Sequence, residues 1–137
     1  MKKYLGVDWG EKRIGLALAD SENMISTPFK TVGDIKSLVE IIKEERINTL
    51  IIGQPKSMKD SSVTNIKYLK FLDILKDRIN DLDIDILFID ERLTSLEADS
   101  IMNKKMNSNR DSLAAMIILQ AYLDKKRNDK NKSDSYK

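Results

Sequence analysis

Asp8 interrupts an apolar run near the start of the chain, in the stretch YLGVDWGEKRIG. A charge inside a buried strand is costly unless something pairs with it. Asp8 is therefore a turn aspartate, a phosphate-site residue or a metal ligand. Two further acidic positions fall where a strand ends or a helix begins: Asp90-Glu91 after IDILF, and Asp111 ahead of SLAAMIILQAYL. The chain has no His and no Cys, which removes disulfides, thiolate zinc sites, Cys or His nucleophiles and a histidine general base. Three carboxylates converging in such a chain suggest an oxygen-ligated divalent ion, Mg²⁺ or Mn²⁺. Two such ions, about 4 Å apart, activate water and stabilise the leaving oxygen in phosphodiester cleavage. They also offset the mutual repulsion of the carboxylates. The plainer alternatives are an N-cap at Asp111 and a strand-end turn at Asp90.

Positioning these acids requires a particular set of elements. Lys3 to Val7 reads as a buried strand, residues 8–12 as a tight turn, and Arg13 to Ala19 as a second strand closing a hairpin. Ser26 to Val32 is a third strand, which Pro28 marks as an edge or a strand start. Asp34 caps a helix carrying Ile35, Leu38, Val39 and Ile42 at a 3.6 period. INTLII at 47–52 is a short strand, followed by the polar loop KSMKDSS and a helix through Ile66, Leu69, Leu72 and Leu75. A fifth strand spans Ile84 to Ile89, and Thr94 to Glu97 forms a capping box for a helix reaching about Met106. The last helix runs from Asp111 to Tyr122 or a little beyond. Asp111, Ala114, Ala115, Ile118 and Tyr122 share one of its faces, and the small alanines there let Asp111 approach the strand ends. Period-2 alternation puts Asp90 and Glu91 on opposite faces, so one of them serves as a ligand.

The expected order is β-β-β-α-β-α-β-α-α, an α/β fold with a mixed five-stranded sheet flanked by helices. At 137 residues the chain is one domain, and 34% charged against 41% apolar content describes a folded globular protein. No apolar run reaches the ~20 residues of a membrane span, nor is there a signal-peptide core. A cytoplasmic location is the expectation. Residues 124–137 carry a net charge of +3, leaving −1 for the rest. Binding to a polyanion would therefore use a local patch. Residues 1–124 form the expected domain, and 125–137 lack periodicity and are expected to be a disordered basic tail.

The segments LGVDWGEKRIGLALAD, IIGQPKSMKDSS, FIDERLTSLEA and DSLAAMIILQAYLD together resemble the pre-16S rRNA nuclease family, the bacterial Holliday-junction-resolvase-like proteins of ribonuclease-H fold. The resemblance spans roughly residues 4–124. It implies a metal-dependent nuclease that trims the 5′ end of precursor 16S rRNA, with Asp8, Glu91 and Asp111 as the catalytic, metal-binding triad. In the related junction resolvases an acid ends the strand where Gly53-Gln54-Pro55 stands here. The resemblance thus assigns that ligand to Glu91 rather than Asp90. The segment before Asp111, MNKKMNSNR, is shorter and less basic than is usual in the family.

Lys12, Arg13, Lys56, Lys59, Arg92 and Arg110 lie beside these acids or in the polar loop, and are the candidates for gripping a phosphate backbone. Arg92 could do so bidentately. Trp9 either stacks on a base or packs in the core. The expected partner is precursor 16S rRNA or a pre-ribosomal particle, with the protein a monomer or weak homodimer. Three other readings compete: a resolvase of branched DNA, which needs a symmetric dimer, a nucleic-acid-binding regulator without cleavage, and a sugar-kinase or actin-like ATPase. The last needs two lobes, for which 137 residues are too few.

Overall fold

The computed structural model describes residues 1–55, 63–90 and 110–135. Its five strands are β1 (Lys3–Trp9), β2 (Ile14–Asp20), β3 (Thr27–Val32), β4 (Thr49–Gln54) and β5 (Asp85–Asp90). The helices are α1 (Ile35–Glu44), α2 (Val63–Arg78) and α3 (Arg110–Ser135). The sheet order is β3-β2-β1-β4-β5. β1 is antiparallel to β2 and parallel to β4, β3 is antiparallel to β2, and β5 is parallel to β4. The mixed sheet expected from the sequence is therefore present. The helix expected over Thr94–Met106 lies outside the described residues.

The position of each strand explains its composition. β1 is central and covered on both faces, so Tyr4 to Val7 are all buried. β3 is an edge strand and largely exposed. Its pairing with β2 shifts between Leu16 and Ala17, whose partners are Lys30 and Pro28. Pro28 thus sits beside a bulge on an edge, where its missing N–H costs little. At the start of α1, the Asp34 carboxylate accepts the Ser37 N–H at 2.8 Å. That bond holds its pKa below the ordinary carboxylate value, aided by the Ser37 side chain.

The two sheet faces differ in what covers them. One face places Leu5, Val7, Leu16, Leu50 and Ile52 against Leu38, Ile42, Tyr68 and Leu75 of α1 and α2. Trp9 belongs to this side, 5.5 Å from the Tyr68 ring and 6.0 Å from that of Phe71. Of its two expected roles, the structure shows the core one. The other face carries Tyr4, Ala17, Ala19, Ile51 and Ile89 against Ala115, Ile118, Leu119 and Leu123 of α3. Where α3 crosses β1 and β2, small residues stand on this face: Gly6 in β1, and Gly15, Ala17 and Ala19 in β2. A Cβ added at Gly6 would lie 2.7 Å from the Leu119 Cβ and 2.8 Å from the Ala115 carbonyl oxygen. One added at Gly15 would run into the carbonyl of Asp111. The two glycines let α3 lie directly on the backbone of β1 and β2.

α3 continues to Ser135, beyond the expected end near Tyr122 and through most of the segment expected to be disordered. Missing apolar periodicity does not stop a helix already propagated from a packed one. Among the described residues, Lys126 and Arg127 tie the start of this extension to the rest of the fold. Lys126 Nζ donates to the Tyr4 hydroxyl at 3.0 Å, which raises the ammonium pKa, and Arg127 donates to the Met24 carbonyl at 3.2 Å. No helix among the described residues is long and apolar enough to cross a membrane.

Two outcomes are expected. Gly6→Val should destabilise the fold by about 1–3 kcal/mol through overpacking, read as a lower urea midpoint. Asp34→Ala should lower the melting temperature at neutral pH, whereas Asp34→Asn keeps most of the cap. Because the folded-state pKa of Asp34 is depressed, the charge-dependent part of this stabilisation is present above the ordinary carboxylate pKa. It disappears as pH falls through the depressed value, so melting temperatures of wild type and Asp34→Asn should converge in acid.

Candidate active site

Strand alternation and one glycine decide where the acids lie. Along β1, Tyr4, Gly6 and Asp8 face α3, while Leu5, Val7 and Trp9 face α1 and α2. Asp8 is half-buried and pairs across the hairpin with Gly15. Gly15 is also the residue on which the first turn of α3 rests, and its missing Cβ would lie 2.8 Å from the Asp111 Cβ. Asp8 and Asp111 therefore flank the same glycine on the same sheet face. Asp111 sits within the first turn of α3, where the positive end of the helix dipole favours its charge. Its inward placement, expected from the alanine face, follows from the burial of Ala115 and Ile118 one and two turns further on.

The hairpin turn is fixed from both ends. Gly10 N–H donates to the Arg13 carbonyl at 2.9 Å. Glu11 accepts the Thr64 hydroxyl at 2.8 Å and lies 3.7 Å from Lys67, both on α2. The turn that follows Asp8 is thus tied to the helix that follows the polar loop. At the neighbouring strand end, buried Tyr68 donates to the Gly53 carbonyl at 3.1 Å.

Asp90 lies on the other side of the sheet. In β5, Ile86 packs into the core beneath α1 and α2, and Lys76 of α2 stands 5.9 Å from the centre of the Phe88 ring. Ile89 instead joins the cluster beneath α3. Asp90 continues the face of Ile86 and Phe88, opposite that of Asp8. Glu91 lies outside the described residues, as do Lys56, Lys59 and Arg92. Arg110 opens α3. Lys12 is exposed at the hairpin tip.

Arg13 is the basic residue seen against an acid of the pair. Its Nε lies 3.1 Å from Asp111 Oδ2, with the Arg13 side chain 71% exposed and that of Asp111 33% exposed. Adjacency in sequence to the hairpin does not reveal this contact. The available signal is that Arg13 stands two residues before Gly15, at the entry to β2, so a helix seated on Gly15 brings its first turn beside Arg13. The glycine signal at Gly15 lies in the alternation of small residues G-x-A-x-A in β2.

As a donor set, Asp8 and Asp111 offer hard carboxylate oxygens, the chemistry that suits Mg²⁺ or Mn²⁺. Among the described residues no group of three or more acidic side chains comes together. A complete site of the expected kind needs one further ligand.

The family model described as "RuvX: Holliday junction resolvase" matches residues 2–125. A protein of Fusobacterium nucleatum subsp. nucleatum named "Putative pre-16S rRNA nuclease" is 35% identical over 141 residues, covering 93% of this chain and 100% of that one. One of the same name from Sulfurihydrogenibium sp. is 37% identical over 134 residues, covering 91% and 92%. Among solved structures, T. thermophilus RuvC in complex with a Holliday junction substrate superimposes with a TM-score of 0.63 at 11% identity, over 90% of this chain and 94% of that one. The Fowlpox virus resolvase in complex with Holliday junction DNA gives 0.56 at 13% identity, over 90% and 97%. At those identities the likeness shows the fold, which is ribonuclease-H-like. With that sheet beneath it and a family match running through both the Asp8 hairpin and α3, the chain belongs to the RuvX family.

Proposed function

We propose that residues 1–124 form a metal-dependent endonuclease that hydrolyses phosphodiester bonds in maturing the 5′ end of precursor 16S rRNA, in the cytoplasm. The observation that carries this reading is the pair Asp8 and Asp111 flanking Gly15 on one sheet face. The names of relatives at 35% and 37% identity support the RNA substrate. Glu91 is the proposed third ligand: it follows Asp90 directly, and Asp90 faces away from the pair. Divalent ions held by these three carboxylates, two of them by the two-metal chemistry described above, would supply an activated water and stabilise the leaving oxygen.

The chain's own residues have separate tasks. The half-buried Asp8 and the helix-borne Asp111 present oxygens from rigid elements, which limits reorganisation when substrate arrives. Arg13 and Lys12, at the edge of the hairpin, contribute positive charge where a phosphate would approach. Lys56, Lys59, Arg92 and Arg110 are proposed to extend that grip along the backbone of a precursor RNA or pre-ribosomal particle.

A second reading keeps the chemistry and changes the substrate. The family description supports branched DNA, and such an enzyme would need two sites in a symmetric dimer. A monomer, or a weak dimer, fits RNA cleavage instead.

The test is Mg²⁺- or Mn²⁺-dependent cleavage of a precursor 16S 5′-end RNA, with a four-way DNA junction in parallel. Asp8→Asn and Glu91→Gln should each reduce RNA cleavage on the order of 10²–10³-fold, leaving the junction uncut by any of the proteins. Junction cleavage by a dimer would favour the resolvase. Absence of cleavage of either substrate, with pre-ribosomal particles included, would favour a binding protein without nuclease activity.

A further inference from the structure

The contact between Arg13 and Asp111 places a guanidinium on an acid that the proposed function assigns to a metal. The pair is formed by an exposed arginine and a carboxylate one-third exposed, with Nε 3.1 Å from Oδ2. Exposed pairs of this kind are weak and easily exchanged. The two partners nevertheless differ in freedom. Asp111 is anchored through its backbone on Gly15 and its helix is buried at Ala115 and Leu119. The Arg13 backbone is fixed by the hairpin, where its carbonyl accepts from Gly10 at 2.9 Å, but the side chain is 71% exposed. The carboxylate therefore stays in place and the guanidinium is the group that can swing.

From this geometry we infer that Arg13 is an exchangeable counter-ion: it neutralises Asp111 before metal arrives, yields that carboxylate to the divalent ion, and moves its guanidinium onto the substrate phosphate. The inference rests on the metal-dependent reading above. Two considerations give it direction. A divalent ion at Asp111 repels a guanidinium held on the same carboxylate. An incoming phosphate supplies the anion that the displaced guanidinium needs, in a bidentate geometry that suits arginine. Arg13 is thus a positioning residue on the substrate side, and its occupancy of Asp111 makes the empty site less repulsive between its acids.

Mn²⁺ alone is the probe, titrated into the full chain and followed through the free-ion electron paramagnetic resonance signal. Arg13→Gln should bind Mn²⁺ about two- to five-fold more tightly than wild type, the range expected on removing an exposed ion pair. The same variant should show a raised KM for RNA with a smaller change in kcat, and Arg13→Lys should recover part of the KM. In wild type, the Arg13 Nε–H resonance should move on addition of Mg²⁺, toward its position in metal-free Asp111→Asn. That measurement needs no Arg13 variant to fold. Equal or weaker Mn²⁺ binding by Arg13→Gln, while wild type binds, would overturn the exchange and leave the metal-dependent reading standing. An Nε–H resonance unmoved by saturating Mg²⁺ would do the same. Failure of wild type itself to bind Mn²⁺ would overturn both.

Discussion

Helix α3 reaches the backbone of the sheet because Gly6 and Gly15 lack the atom that would hold it off. At Gly6 the obstruction would be with Ala115 and Leu119, and at Gly15 with the backbone of Asp111. These contacts fix the helix along its length as well as its height. Further along, Lys126 and Arg127 tie the helix to Tyr4 and Met24. Since Gly15 is also the hairpin partner of Asp8, one packing contact sets the relation between two acids more than a hundred residues apart. A slip of α3 by one helical turn, about 5.4 Å, would break it.

The sheet divides its work between its faces. Between the sheet and α1 and α2 lie large side chains, Leu5, Leu16, Leu50 and Ile52 from the strands and Tyr68 and Phe71 from α2, whose burial supplies much of the hydrophobic stabilisation. Beneath α3, Gly6, Gly15, Ala17 and Ala19 stand among Tyr4, Ile51 and Ile89, and these small residues contribute less buried area but allow close approach. The acids follow the same division. Asp8 and Asp111 lie on the small-residue face, and Asp90 on the other. Tying Glu11 to Thr64 and Lys67 links the two sides across the end of the sheet.

Much of this was legible in the sequence because it depends on local pattern. The apolar run of β1 that Asp8 interrupts, the edge position signalled by Pro28, the Asp34 cap and the inward face of Ala115 and Ile118 each follow from residue type and period. The contacts that complete the site are not local. Alternation predicts that Asp90 and Glu91 oppose one another, but which of them shares a face with Asp8 depends on how β5 joins β4 beside β1. The pairing of Arg13 with Asp111 depends on where α3 lands. The helical continuation past Tyr122 was hidden because polar contacts such as those of Lys126 and Arg127 leave no apolar period. The core contact of Trp9 depends on where α2 places two aromatic rings beside it.

The central claim is that Asp8 and Asp111 belong to one divalent-metal centre, completed by Glu91. Its most direct test is a crystal structure of the full chain grown with Mn²⁺, read through the anomalous scattering of the metal. The account predicts an anomalous peak bounded by Asp8 and Asp111 above Gly15, at roughly 2.1 Å from their oxygens, the distance of a tightly held octahedral ion, with Glu91 as a further ligand. Mn²⁺ bound instead at Asp90 on the opposite face, or a crystal saturated with Mn²⁺ that shows no peak between Asp8 and Asp111, would contradict it.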